Sequence, residues 1–278
     1  MFSEKYGYKS EKEIQYEYMP GELRRRIWNL FYQQEIRAGG IANKRLSQSL
    51  NGDQSIEEKI LDRMGFLIDM PSQNLTAEVR LQNQILQHFE WFEVYDFIDI
   101  HLSFLEESER AERIKQYNEV LEQEKAGYRI VAGEVAPITN QSEIQEIEQA
   151  AVTSYQSVNE HIKKALALYA DLEKPDYENS VKESISAVEA MCCIITGESG
   201  AQATLGNAIK KLKDSGVHIH SAMEKAFLAL YGYASDENGI RHGGIDFTSV
   251  PAEDAKYMLV SCSAFINYLI EKWGKVNF

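Results

Sequence analysis

The stretch "YASDENGIRHGGIDF", residues 233–247, sets an arginine beside a histidine, Arg241 and His242, between Gly239 and the pair Gly243-Gly244. Arginine presents a planar fork of donors that fits a phosphate. Histidine titrates near neutral pH and can move a proton. These are two parts of a metal-free ribonuclease. A base takes the proton of a ribose 2′-hydroxyl, the freed oxygen attacks the adjacent phosphorus, and a cation holds the charge that develops. The DNA backbone has no such internal nucleophile. Neighbours on a helix diverge by about 100°, so the pair needs a loop to face one phosphate, and the flanking glycines permit a tight one. The competing reading is an exposed turn in which Asp236 and Glu237 neutralise Arg241.

Glu189 is the best candidate for a supporting carboxylate. It falls on the shoulder of an apolar stripe formed by Ile185, Val188 and Cys192, where it could orient Arg241 or His242. A plain boundary salt bridge is the other reading. A nucleic-acid substrate must overcome a net charge of −14, from 43 acidic against 29 basic residues. That balance excludes generic nucleic-acid binding but not a local basic site. Lys210, Lys211 and Lys213 are the basic cluster nearest in sequence, and Arg24, Arg25 and Arg26 form another. Either could line an RNA path, and a solvated helix face is the default for both.

The remaining titratable residues promise less. His88 and His101 read as satisfied core or boundary histidines, and His218 and His220 as surface or capping residues. Three cysteines, two of them adjacent (Cys192 and Cys193) and the third Cys262, exclude a disulfide framework and a spaced zinc site. No metal and no cofactor is expected.

The elements that must position these groups are helices. Proline is scarce, at five residues, and apolar residues recur every three or four positions. The fold class is therefore all-α. No apolar run approaches a membrane span and no signal peptide opens the sequence, so the expected compartment is the cytoplasm, with no membrane partner. Pro20 and Pro251 suit helix starts, Asn140 or Ser142 suits a cap, and Gly197 suits a stop. "LQNQILQHFEWFEVYDFIDIHLSFLEES" reads as one largely buried helix. "YRIVAGEVAPI" breaks the helical period with two short β-compatible arms around Ala132-Gly133, a hairpin signal. The expected organisation is an N-terminal helical domain over 1–143 that ends in this hairpin, and a helical bundle over 144–278.

"DYENSVKESISAVEAMCCIITG", "TLGNAIKKLK", "AFLALYGYASDENGIRHGG" and "DAKYMLVSCSAFINYLI" together resemble the C-terminal helical domain of bacterial AbiJ-type proteins, within the wider HEPN superfamily. The N-terminal part, from "FSEKYGYK" through "LRRRIWN" to the hairpin, is similar to an AbiJ N-terminal domain family. The resemblance implies a HEPN-like bundle that forms a homodimer through the C-terminal domain. It also implies a role in phage defence by abortive infection, through metal-independent RNA cleavage. Arg241, His242 and Glu189 would carry the chemistry, with Lys210, Lys211 and Lys213 on RNA. A single histidine serves both proton transfers poorly, and a dimer brings two such loops together. A phage-derived trigger or partner protein would act through the N-terminal domain. The alternative is a catalytically inactive HEPN module for dimerisation or nucleic-acid sensing that regulates another effector.

Overall fold

Apolar stripes at helical spacing set the architecture, and the caps that end them are visible in the computed structural model. It describes residues 13–37, 54–66, 75–171, 174–200, 203–233 and 250–276. The fold is all-α with one short β-hairpin. The chain divides into two compact units, Met1–Pro137 and Ile138–Phe278.

In the first unit, α1 (Gly21–Phe31) buries Leu23, Ile27, Trp28 and Phe31. Pro20 precedes it as the N-cap, where a missing N–H costs nothing. The helix widens into a π-helical turn over Tyr32–Arg37. A capping box between Ser55 and Glu58 starts α2 (Ile56–Arg63). Next come α3 (Ala77–Asn83), a second π-helical turn (Gln84–His88), α4 (Trp91–Ser103) and α5 (Glu107–Gln123). Strands β1 (Arg129–Val131) and β2 (Glu134–Ala136) pair antiparallel across Ala132 and Gly133. Both turn residues have positive φ, 47° and 97°. That is the backbone a two-residue hairpin loop requires, because its twist matches the strands. Leu23, Ile27, Phe31, Ile85, Phe97, Ile98, Tyr117 and Leu121 form the centre of one apolar core.

The single buried helix expected over 81–108 is broken in two. The π-helical turn ends at His88, and Glu90 adopts extended backbone ahead of α4. Two polar contacts stabilise the break. Glu93 Oε2 accepts from the Glu90 N–H at 2.6 Å. The Arg24 guanidinium donates to Ile85 O at 3.0 Å and Phe89 O at 2.7 Å, carbonyls left without helical partners. Arg24 therefore belongs to the structure of the unit, not to a solvated face. Its neighbour Arg26 pairs with Glu124 at 2.6 Å.

An N-terminal segment lies across the end of α5. Gln15 N–H donates to Lys125 O at 3.0 Å, and Gly127 N–H donates to Gln15 O at 2.8 Å. Gly127 is needed there: a Cβ would stand 2.5 Å from the Tyr16 ring and 2.6 Å from Gln15 O. Gly127→Ala is expected to lift this segment at a cost of about 1–3 kcal/mol. The checks are a lower denaturation midpoint and faster amide exchange at Gln15.

In the second unit, Asn140 caps α6 (Gln141–Ala151) through Oδ1, which accepts from Ser142 and Glu143. It is followed by α7 (Gln156–Ala170), α8 (Tyr177–Thr196), α9 (Leu205–Asp214), α10 (Ser221–Tyr233) and α11 (Ala252–Gly274). Helix α8 is central and packs on α7, α9 and α11. Its small residues let α7 approach closely: buried Ser180 donates through Oγ to Ala165 O at 2.8 Å. Gly197, with φ 72°, stops α8 in the left-handed region. Asn267 Nδ2 on α11 donates to Glu146 O and Oε2 on α6, at 3.0 and 2.7 Å. On α8, Glu183 accepts from His161 of α7 at 2.6 Å and pairs with Lys164.

Candidate functional site

Helix α10 is the element that leads into the Arg-His stretch. Its apolar residues are spaced to press one side onto a neighbour. Phe227 stacks on Phe265 of α11, with centroids 3.7 Å apart and planes at 29°. Lys213 of α9 pairs with Glu224. One turn after Phe227, the Tyr231 hydroxyl donates to Glu189 Oε1 on α8 at 2.6 Å. The helix ends at Tyr233, and the next described element, α11, starts at Ala252. Arg241 and His242 lie outside the described residues, as do Asp236 and Glu237.

Glu189 is half-buried beside the buried residues Ile185, Val188 and Cys192. The position expected from the stripe is thus where the side chain sits. Sequence reasoning missed its partner. Tyr231 reads as one more apolar residue of its helix, and the 42-residue separation from Glu189 leaves no local signal. A carboxylate that accepts a short hydrogen bond from a phenol is fixed in orientation. Such a group can hold a guanidinium or an imidazolium.

The three lysines share α9 but not one role. Lys211 Nζ donates to Thr196 O at 2.8 Å and stands 5.7 Å from the Trp273 ring centroid, a cation–π distance. Lys213 is occupied by Glu224. Lys210 is exposed and lines an open hollow with Lys211, Thr196 and Asn207, alongside the acids Glu198 and Asp214. His220 Nδ1 accepts from the Ala222 N–H at 3.2 Å at the start of α10, which makes it a capping residue. Cys192 and Cys262 are buried, and burial pushes both thiols up to about 12. They are inert as nucleophiles near neutral pH.

A second polar cluster, in the first unit, was not visible in the sequence. His101 on α4 is fully buried between the Phe31 and Phe97 rings, with centroids at 4.9 and 6.2 Å. Its Nδ1 is 2.9 Å from the Tyr117 hydroxyl. Its Nε2 faces Glu35 Oε1 at 3.3 Å, without the alignment of a regular hydrogen bond. Glu35 comes from the first π-helical turn and also accepts from Arg113 at 2.8 Å. Burial lowers the His101 pKa below the ordinary 6.5, and the Glu35 carboxylate only partly opposes it. The native state therefore binds fewer protons than the unfolded one once pH falls below 6.5. Stability of this unit is expected to decline from that pH downward, by up to about 1.4 kcal/mol per pH unit. His101→Gln should flatten that slope in denaturant titrations run at successive pH values.

Among the described residues, no group of three or more His, Cys, Asp or Glu side chains is placed to hold a metal ion. No described helix is long and apolar enough to cross a membrane.

Residues 1–153 match the family model for AbiJ N-terminal domain 4. No curated protein and no solved structure matches the chain. The AbiJ family suggests abortive-infection phage defence. Since the match spans more than half of the sequence, the chain belongs to the AbiJ N-terminal domain 4 family.

Proposed function

We propose that the chain is a metal-independent endoribonuclease of abortive infection whose C-terminal unit is HEPN-like. Arg241 binds the scissile phosphate, His242 moves the proton, and Glu189 positions one of the two. In the first step the 2′-hydroxyl proton passes to a neutral imidazole. The 2′-oxygen bonds to phosphorus, and the bond to the 5′-oxygen breaks. The leaving oxygen needs a proton from a second, protonated imidazole. A second copy of the chain supplies it in a homodimer formed through the C-terminal units.

The observation that carries this reading is the Tyr231–Glu189 hydrogen bond. It fixes the last turn of α10 beside a half-buried carboxylate, and Arg241 and His242 follow this helix in the sequence. Exposed Lys210 offers a cation for the RNA backbone.

The step as written uses no metal and ends in a cyclic phosphate. Purified protein with total RNA should therefore leave 2′,3′-cyclic phosphate ends, at a rate unchanged by a chelator. Cleavage that stops with chelator, or that leaves 3′-hydroxyl ends, would overturn the proposal.

A second reading is a HEPN module without catalysis, which dimerises or senses nucleic acid for another effector. The occupation of Lys211 and Lys213 by neighbours within the unit favours it. Under either reading the N-terminal domain would receive the phage-derived trigger or partner protein, and the protein would work in the cytoplasm.

A further inference from the structure

In the first unit a run of aromatic rings extends from the core to the surface. Tyr16, Tyr18 and Phe92 are 52%, 62% and 42% exposed. They are not scattered. Phe92 packs edge-on against Trp91 at 5.7 Å, Trp91 stacks on Tyr128 at 5.5 Å, and Tyr128 meets Tyr16 edge-on at 6.0 Å. Tyr128 is buried and forms the floor. The rings therefore make a continuous strip from the first turn of α4 to the segment that lies over Gly127. Tyr18, Glu90 and Glu93 each lie close to Arg24.

The strip is held in place at a cost. Glu17, between the two exposed tyrosines, has φ 51°, in the left-handed region that a glutamate rarely occupies. Its backbone hydrogen-bonds the Tyr128 hydroxyl. Strain of this kind persists only where surrounding contacts over-determine it. Tyr16 and Tyr18, on either side of Glu17, are both exposed.

The charges around the rings name the chemistry of the occupant. Glu17 and Glu90 are exposed, Glu93 is half-buried, and none of them has a salt bridge to a described residue. Lys125 is exposed beside Gln15, but the two arginines nearby face inward. Arg24 donates to the carbonyls of Met19, Ile85 and Phe89. Arg129 donates to those of Ala126 and Tyr128. An acidic rim with aromatic faces repels a phosphate backbone and attracts a guanidinium, which stacks on rings and pairs with carboxylates.

We propose that residues 14–18, the first turn of α4 and Tyr128 form a docking surface for an arginine-rich segment of a partner polypeptide. The inference is independent of the nuclease reading, because it uses no residue of the C-terminal unit.

The test is binding of a fluorescent arginine homopeptide to the full chain, followed by anisotropy. A protein of net charge −14 attracts such a peptide everywhere, so the informative variants keep the charge. Tyr16→Ala with Phe92→Ala is expected to weaken binding about tenfold. Glu253→Gln with Glu271→Gln, in the other unit, removes two charges and should change binding less than about twofold. Circular dichroism checks that each variant is folded. Should the double variant fail to fold, Tyr18→Ala at the most exposed ring should still weaken binding about threefold. Equal binding by the aromatic variants overturns the proposal. So does oligouridylate that binds this surface in preference to the peptide, with the same sensitivity to Phe92→Ala.

Discussion

His242→Ala is expected to lower RNA cleavage by about 10²–10⁴-fold, the usual worth of a positioned general acid or base. The 2′-hydroxyl is a poor nucleophile until its proton is removed, and water at neutral pH removes it slowly. An imidazole can both take and give a proton near neutral pH, so this side-chain type serves both directions of transfer. The rate against pH should be bell-shaped in the wild type, since a dimer needs one neutral and one protonated histidine, and flat in the variant. Folding should survive the change. The core of the second unit is built from residues such as Val181, Ile185, Met258, Leu259 and Ile266, and the Tyr231–Glu189 bond remains. Wild-type cleavage by the variant would end the assignment of His242. Loss of cleavage together with loss of the dimer would point to a structural role instead.

The sequence showed most clearly what is local. Asn140 caps its helix because an Asx side chain reaches the first free N–H groups of the turn that follows. Ala132-Gly133 closes a hairpin because a two-residue turn between β-compatible arms has few alternatives. Gly197 ends α8 for an equally local reason. What failed was non-local. The break at Glu90 depends on Arg24, 65 residues away from Phe89, which collects carbonyls that a continuous helix would not expose. Arg24 in "LRRRIWN" looks like its two neighbours, and only tertiary structure separates it from them. The same limit hid the His101 cluster, assembled from α4, α5 and a π-helical turn.

For the candidate site, the sequence located the carboxylate but not its partner. Position on a helix shoulder follows from the 3.6-residue period, so Glu189 was visible as a boundary residue. Its Tyr231 contact was not, because a tyrosine at an apolar position has a hydroxyl that the period does not place. The lysines show the reverse case. Three cations within four positions suggest one patch, yet α9 turns them toward a carbonyl and ring, toward Glu224, and toward an open hollow. A charge cluster in sequence is thus a statement about a helix, not about a surface.

Phe31→Ala should be the most damaging single change in the first unit, at about 3–5 kcal/mol. Phe31 is fully buried and sits where several elements meet. Its ring lies 5.6 Å from Trp28, 5.3 Å from Phe97 and 4.9 Å from His101. The void would do more than remove apolar contacts. It would open a path for water to the His101–Glu35–Arg113 cluster, whose neutral imidazole is held by burial. A loss of this size is comparable with the whole stability of a small domain. It should appear as amide exchange that accelerates across 91–103 and 107–123, while 177–196 in the other unit keeps its protection. The pH dependence should change as well: once water reaches His101, its pKa returns toward 6.5 and the decline in stability below that pH becomes shallower. Unchanged protection in α4 and α5 would mean that the core closes around the missing ring, and that Phe31 fills space without holding the cluster dry.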